Sequence, residues 1–280
     1  MADNKPSISV FFPFYNDWGT VGSLVGLAAA TVAKLTHDWE ILIINDGSRK
    51  EDREALEMIL NVMNSKRHSG LSRIDSGVVA KAPPQNDNKN RIKIIHHGKN
   101  RGYGGALRTG FAEAKKDLIF YTDCDAQYDP RELTKLYKAL RRFTPQGKPI
   151  GMVNGYKIKR NDPWFRILIG RIYHYLVKYA FGLPIRDTDC DFRLIRREVF
   201  HPSPGSGRTA VRLFENTGTI CVELVKKIDY HGYKIAEVPV HHYWRTSGKS
   251  QFFNFGRLAK TGVNLLKLWW KLMVRSEYYS

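Results

Sequence analysis

Short apolar runs alternate with longer amphipathic stretches through the first half of this 280-residue chain. Residues 8–12 (ISVFF), 40–44 (EILII), 91–96 (RIKIIH) and 118–121 (LIFY) are brief, rich in β-branched or aromatic residues and bounded by polar groups, which predicts four strands. Between them, 21–35, 51–63 and 106–114 carry apolar residues at helical spacing. Such alternation predicts an α/β fold, an open and mostly parallel sheet with helices on both faces. Residues 64–90 break the pattern. They are rich in Ser, Asn, Lys and Pro and read as a surface insertion. Further on, 152–156 predicts another strand, 164–181 an amphipathic segment, 192–195 and 235–238 a short strand pair, and 252–275 a long amphipathic segment.

Ligands of such sheets bind at the carboxyl ends of the strands. Here those ends read PFYND, NDGS, HGKNRGYGG and DCDAQ. Asp123, Asp125 and Gln127 stand two apart directly after an apolar run, and alternate residues of an extended segment point the same way. Their oxygens can then converge on Mg²⁺ or Mn²⁺, with water or substrate phosphate completing the shell. An acidic turn ahead of a helix accounts for the same residues, because Asp129-Pro130 is a good helix start. Asp46 in NDGS can accept hydrogen bonds from a ribose or base, or simply belong to an Asp-Gly turn. In NRGYGGALRTG, glycines before a helix let backbone amides approach an anion. That spacing is neither a P-loop nor a full dinucleotide fingerprint, and tight strand-to-helix packing explains it equally.

Composition narrows the class. A hydrophobic content of 42% with 12% aromatics supports a buried core. Three widely spaced cysteines, Cys124, Cys190 and Cys221, suit a reducing compartment and argue against a disulfide framework or a zinc site. The first ten residues hold no apolar signal-like run, and no apolar run approaches the ~20 residues that span a bilayer. A net charge of +18 calls for an anionic partner: nucleic acid, an acidic membrane surface or a phosphorylated substrate.

In this order and spacing, PFYND, NDGS, NRGYGGALRTG and DCDAQ resemble the family 2 glycosyltransferases of GT-A fold. The stretch 155–200, GYKIKRNDPWFRILIGRIYHYLVKYAFGLPIRDTDCDFRLIRREVF, narrows the resemblance to the polyprenyl-phosphate glycosyltransferases, the group of the dolichol-phosphate mannose synthases. The expected organisation is a GT-A domain over 1–250, with 64–90 inserted, and an amphipathic tail over 251–280. The resemblance implies that Pro13, Tyr15 and Asp46 line the nucleotide site. It makes Asp123 and Asp125 the metal-binding DxD pair, with Gln127 beside them. Arg166 matches an arginine that meets the acceptor phosphate, with Lys157 and Arg160 as further cations on that side. Arg245 and Ser250, in HHYWRTSGKS, match an R-x-x-G-x-S loop that closes near the donor diphosphate. Three positions depart from the family pattern: Lys157 stands for arginine, Gly170 for serine and Asp191 for glycine.

The activity implied is metal-dependent, inverting transfer of a hexose from a donor of the GDP-mannose or UDP-glucose type to a polyprenyl or dolichyl phosphate. Asp123, Asp125 and Arg245 would carry it, the metal and the arginine offsetting charge on the departing diphosphate. An acceptor phosphate is already ionised, so no strong base is obligatory; neither Asp125 nor Asp189 stands out as one.

The amphipathic segments bear on location. Wound at about 100° per residue, Arg257, Lys260, Asn264, Lys267, Lys271 and Arg275 share roughly a quarter of the wheel. Leucines, Trp269, Trp270 and Met273 cover the rest. Residues 164–181 behave similarly. This is the pattern of interfacial helices, and it suits a peripheral enzyme on the anionic cytoplasmic face of a membrane. Packing of both helices on the core is the competing arrangement. Other readings are a family 2 transferase with a glycan or soluble acceptor, a nucleotidyltransferase, or a nucleic-acid-binding protein. The last lacks any helix-turn-helix, zinc-finger or RNP pattern, so no nucleic-acid partner is expected.

Overall fold

The computed structural model describes residues 5–66, 91–142, 150–158, 164–244 and 255–279, and only the backbone of 65, 66, 142, 164–169, 255, 257 and 258. The strands are β1 (Ile8–Phe14), β2 (Trp39–Asn45), β3 (Ile92–His96), β4 (Leu118–Thr122), β5 (Ile150–Lys157), β6 (Phe192–Arg196) and β7 (Lys234–Val240). The helices are α1 (Trp18–Leu35), α2 (Lys50–Lys66), α3 (Tyr103–Glu113), α4 (Leu133–Arg142), α5 (Trp164–Phe181), α6 (Ile220–Tyr230) and α7 (Phe255–Trp269). The strands form one sheet in the order β3-β2-β1-β4-β6-β5-β7. Its first four strands are mutually parallel, β6 runs antiparallel to both β4 and β5, and β5 pairs parallel with β7. The fold is α/β of the GT-A kind, with helices on both faces.

Strand alternation sorts the core into two layers. From β1, Ile8, Val10, Phe12 and Phe14 face one side with α1 and α4, while Phe11 faces the other with α3 and α6. Both faces of β1, β2 and β4 are buried, which is why these strands read as continuous apolar runs. The turn before α4 starts as expected: Asp129 accepts the Arg131 amide at 2.9 Å ahead of Pro130.

Several boundaries differ from the sequence expectations. Residues 192–195 and 235–238 do not pair with each other; β5 lies between them. A two-residue register decides side-chain direction but not strand order, which long-range packing sets. Helix α3 begins at Tyr103, so the glycines at 104 and 105 sit in its first turn rather than in a loop. Helix α2 runs to Lys66, and the rest of the expected insertion lies outside the described residues. Helix α6, whose start follows Thr219, was not anticipated, although ICVELVKKIDY carries helical spacing. Helix α1 has the length and apolarity of a membrane span, against the expectation that no segment approaches one. Thr20, Val21, Leu24, Val25, Ala28 and Val32 are buried in it, because it packs on the sheet.

Helix α7 continues into a π-helical turn, Trp270–Val274. Its Leu268 and Leu272 are fully buried in the second core layer with Tyr278. The Trp269 indole donates to Ala180 O of α5 at 2.9 Å, and Tyr278 stacks on Tyr230 of α6 at 3.6 Å. One stripe of the tail therefore docks on the domain, as in the competing arrangement. Leu266, Trp270, Met273 and Val274 stay exposed.

Candidate active site

The acidic loop starts where β4 ends, at Thr122. Residues 124–128 are a succession of bends, with Ala126 at φ 59°. The alternation of an extended strand therefore does not govern Asp123, Asp125 and Gln127; local turn bonds do. Asp125 is buried, and its Oδ1 accepts the Gln127 amide at 3.1 Å. Thr20 at the start of α1 donates to Cys124 O, which pins the centre of the loop. The Asp123 Oδ1 accepts the Tyr103 hydroxyl at 2.8 Å. Burial, then the negative charge of Asp123 and of Asp191, holds the Tyr103 phenol well above its ordinary pKa, so it stays a donor.

Gln127 links the loop to the chain that leaves β7. Its carbonyl accepts the Tyr243 amide at 2.9 Å, and its side-chain nitrogen donates to Tyr243 O at 3.3 Å. Glu132 anchors the same exit, accepting from His241 N at 2.8 Å. Arg245 and Ser250 follow immediately but lie outside the described residues, as does Arg160. Arg166 belongs to α5, where only the backbone is described.

A cavity of approximately 190 Å³ opens at the carboxyl ends of β1 and β2. It is lined by Pro13, Phe14, Tyr15, Asp46, Asn100, Tyr103 and Ala106, so the structure gathers the three residues expected at a nucleotide site. Tyr103 joins this cavity to Asp123. Asp46 is buried and partly committed to the fold: its Oδ1 accepts from His97 Nδ1 at 2.7 Å and from the Arg101 amide at 2.8 Å. His97 in turn meets the Thr109 hydroxyl at 2.9 Å through Nε2.

The glycine turn serves packing. Gly102 donates its amide to Asn100 Oδ1 at 2.9 Å, and Gly104 donates to Asn216 O at 3.0 Å. Gly102 has φ 84°, and a Cβ on Gly104 would lie 2.4 Å from Glu215 O. Those amides point into the protein, not at an anion.

Lys157, expected on the acceptor side, and the buried Arg193 each carry several polar contacts. Lys157 is tied to Asp189, donating to its carbonyl at 2.6 Å and meeting its carboxylate at 3.3 Å. Arg193 is fully buried and donates to Asn154 Oδ1, Tyr121 OH and Thr188 O. Asp191 sits 3.9 Å from Arg193 and accepts from Cys221 Sγ at 3.0 Å. The charge that Asp191 adds to this loop is thus matched by a buried guanidinium. Burial first, and then Asp191, pushes the Cys221 thiol well up.

Among the described residues no three His, Cys, Asp or Glu side chains form a metal cage. Two carboxylates on one bend match instead a hard cation that keeps positions for water or phosphate. The donor set therefore fits Mg²⁺ or Mn²⁺ and not zinc. Tyr103, His97 and Thr20 are the site residues that motif spacing did not single out for it. Tyr103 and His97 lie within the quoted HGKNRGYGG, whereas Thr20 meets the loop only through the packing of α1.

The profile of Glycosyl transferase family 2 matches residues 9–202. The chain belongs to this family. It is a glycosyltransferase. Among its relatives, an undecaprenyl-phosphate 4-deoxy-4-formamido-L-arabinose transferase of Salmonella paratyphi A is 27% identical over 95% of this chain and 69% of its own length. The Enterobacter sp. protein of that description is 25% identical over 92% of this chain and 66% of its own length. Glucosyl-3-phosphoglycerate synthase from Mycobacterium tuberculosis, in a crystal structure with Mn²⁺, UDP and phosphoglyceric acid, has a TM-score of 0.61 at 16% identity. That alignment covers 94% of this chain and 78% of that one, and establishes shared fold.

Proposed function

We propose that this glycosyltransferase moves a hexose from a nucleoside-diphosphate sugar to a polyprenyl phosphate at the cytoplasmic face of a membrane, with inversion at the anomeric carbon. The observation that carries the reading is Tyr103. It lines the cavity with Pro13, Tyr15 and Asp46 and bonds Asp123, so a nucleotide in that cavity would reach its diphosphate to the acidic loop.

Asp123 and Asp125, with Gln127 beside them, would hold Mg²⁺ or Mn²⁺. When bound, the cation supplies positive charge to the donor diphosphate. Arg245, which follows the Gln127–Tyr243 link by two residues, would add a cation on the same side. Lys157, Arg160 and Arg166 are assigned to the acceptor phosphate, with Lys157 held in place by Asp189. The names of the relatives support the lipid acceptor, and so does the exterior of the helices. Ile172, Tyr175, Leu176 and Tyr179 on α5 are exposed, as are Trp270, Met273 and Val274 of the tail. Exposed aromatics beside cations suit a bilayer interface. The catalytic domain is taken as 1–250 and the tail as 251–280.

The test is incubation with GDP-mannose, UDP-glucose and related donors, a polyprenyl phosphate and Mn²⁺. Release of nucleoside diphosphate with formation of a lipid-linked sugar is expected. Asp125→Asn should lower turnover by about a hundredfold or more while leaving the circular dichroism spectrum unchanged. Full activity in that variant, or activity unaffected by chelation, would remove the metal from the reading.

A further inference from the structure

A second cavity, approximately 570 Å³, is bordered by Glu215 of the loop that seats the glycine turn. It is an open groove between the tail and residue 215. Lys267, Lys271 and Arg275 line it at four-residue steps, Leu266 and Trp270 supply apolar wall, and Glu215 is the one acidic lining residue. Like charges at that helical spacing repel one another. Arg275 is partly answered by Glu277 at 3.2 Å, and the Lys271 ammonium sits 4.2 Å over the Phe214 ring. Lys267 has no carboxylate partner among the described residues, and the Glu215 carboxylate is engaged by the Thr219 hydroxyl at 2.6 Å.

The groove and the donor cavity have no lining residue in common, but residues 214–216 connect them. Glu223, buried on α6, accepts the amides of Phe214 and Glu215 at 3.0 and 2.9 Å. Lys227, paired with Glu223 at 3.2 Å, donates to Arg212 O and sits 4.4 Å over the same Phe214 ring. The next residue, Asn216, receives the Gly104 amide through its carbonyl and Arg108 through its side chain. Tyr103, one residue before Gly104, lines the donor cavity.

We propose that this groove binds the phosphate headgroup of an anionic membrane phospholipid, and that its occupation tightens donor binding through residues 214–216. The proposal deepens the membrane reading above and rests on it. Three cations face two carboxylates, Glu215 and Glu277, and the excess positive charge selects an anion. The occupant is a lipid because the apolar wall continues into the exposed strip of Trp270, Met273 and Val274, tied to α5 by the Trp269 bond to Ala180. A free phosphate would satisfy the cations and leave that strip uncovered. Neutralising repelling cations over Phe214 would hold the tail against the loop that fixes the glycine turn, which is a coupling between two sites.

The experiment measures, on the full chain with Mn²⁺, the affinity of the tightest-binding member of a nucleoside diphosphate panel. It is repeated with short-chain phosphatidylglycerol, short-chain phosphatidylcholine and inorganic phosphate. Phosphatidylglycerol should tighten binding by about fivefold or more, a modest allosteric coupling. Phosphatidylcholine and inorganic phosphate should not, and Lys267→Glu should abolish the lipid effect. Lys267 is exposed, so the substitution leaves the core untouched. Equal effects of the two lipids, or a full effect in Lys267→Glu, would overturn the site; an equal effect of inorganic phosphate would overturn the lipid. The assay needs no acceptor, so it can fail or succeed independently of the transfer reaction. Vesicle binding that persists without any donor effect would sink the groove and leave the membrane reading standing.

Discussion

Tyr103 is the residue on which the site turns. Its phenol is a neutral donor to a carboxylate, and hydrogen bonds to charged groups are worth about 1.5–3 kcal/mol. Tyr103→Phe should therefore lower kcat/KM by about tenfold, with donor affinity changed more than acceptor affinity, as read by steady-state kinetics on both substrates. Unchanged kinetics would show that the bond positions nothing. Gly104 answers a separate question. A Cβ there meets a backbone carbonyl, which cannot rotate away, so Gly104→Ala should destabilise by about 1–3 kcal/mol in urea unfolding. The sequence located these glycines and left open whether they cradle an anion or tighten packing. The direction of an amide depends on what lies opposite, and what lies opposite Gly104 is Asn216, more than a hundred residues later.

At the scale of elements, the strands with both faces buried were legible because their apolar runs leave no other assignment. β6 and β7 were legible as strands, but the pairing expected between them does not form, because β5 lies between them. Helix α7 shows the same limit. Its wheel displays cations on one arc and apolar residues over the remainder, which fits either a bilayer or a core. The fold divides the apolar arc: Leu268 and Leu272 go inside, Leu266, Trp270 and Met273 outside. Leu272→Ala should cost about 2–5 kcal/mol at that contact and free the tail for limited proteolysis before the domain unfolds. Cleavage at an unchanged rate would mean the contact does not hold the tail.

For the whole molecule, +18 spread over a surface with exposed tyrosines and tryptophans makes vesicle association a salt-dependent quantity. Binding to vesicles rich in phosphatidylglycerol should fall steeply between low salt and about 0.5 M salt, while residual binding from the apolar strip persists, as measured by sedimentation. Binding insensitive to salt would remove the charge from the docking argument. Glu132 matters at this scale too, because it bonds His241 at the exit of β7 and thereby ties the turn before α4 to the chain that leads to Arg245.

The order of PFYND, NDGS, NRGYGG and DCDAQ along the chain was enough to determine the fold class and the family, and it points to one end of the sheet for the proposed chemistry. Each motif follows directly on its own strand, and strand direction places all four at one edge. Tertiary structure alone decided which oxygens of those motifs are committed to the protein. Asp46 holds His97 and Arg101, Asp123 holds Tyr103, Asp191 faces Arg193, and Gly104 is closed off by Asn216. These are contacts between segments distant along the chain, and local spacing carries no information about which distant group arrives to fill a hydrogen bond.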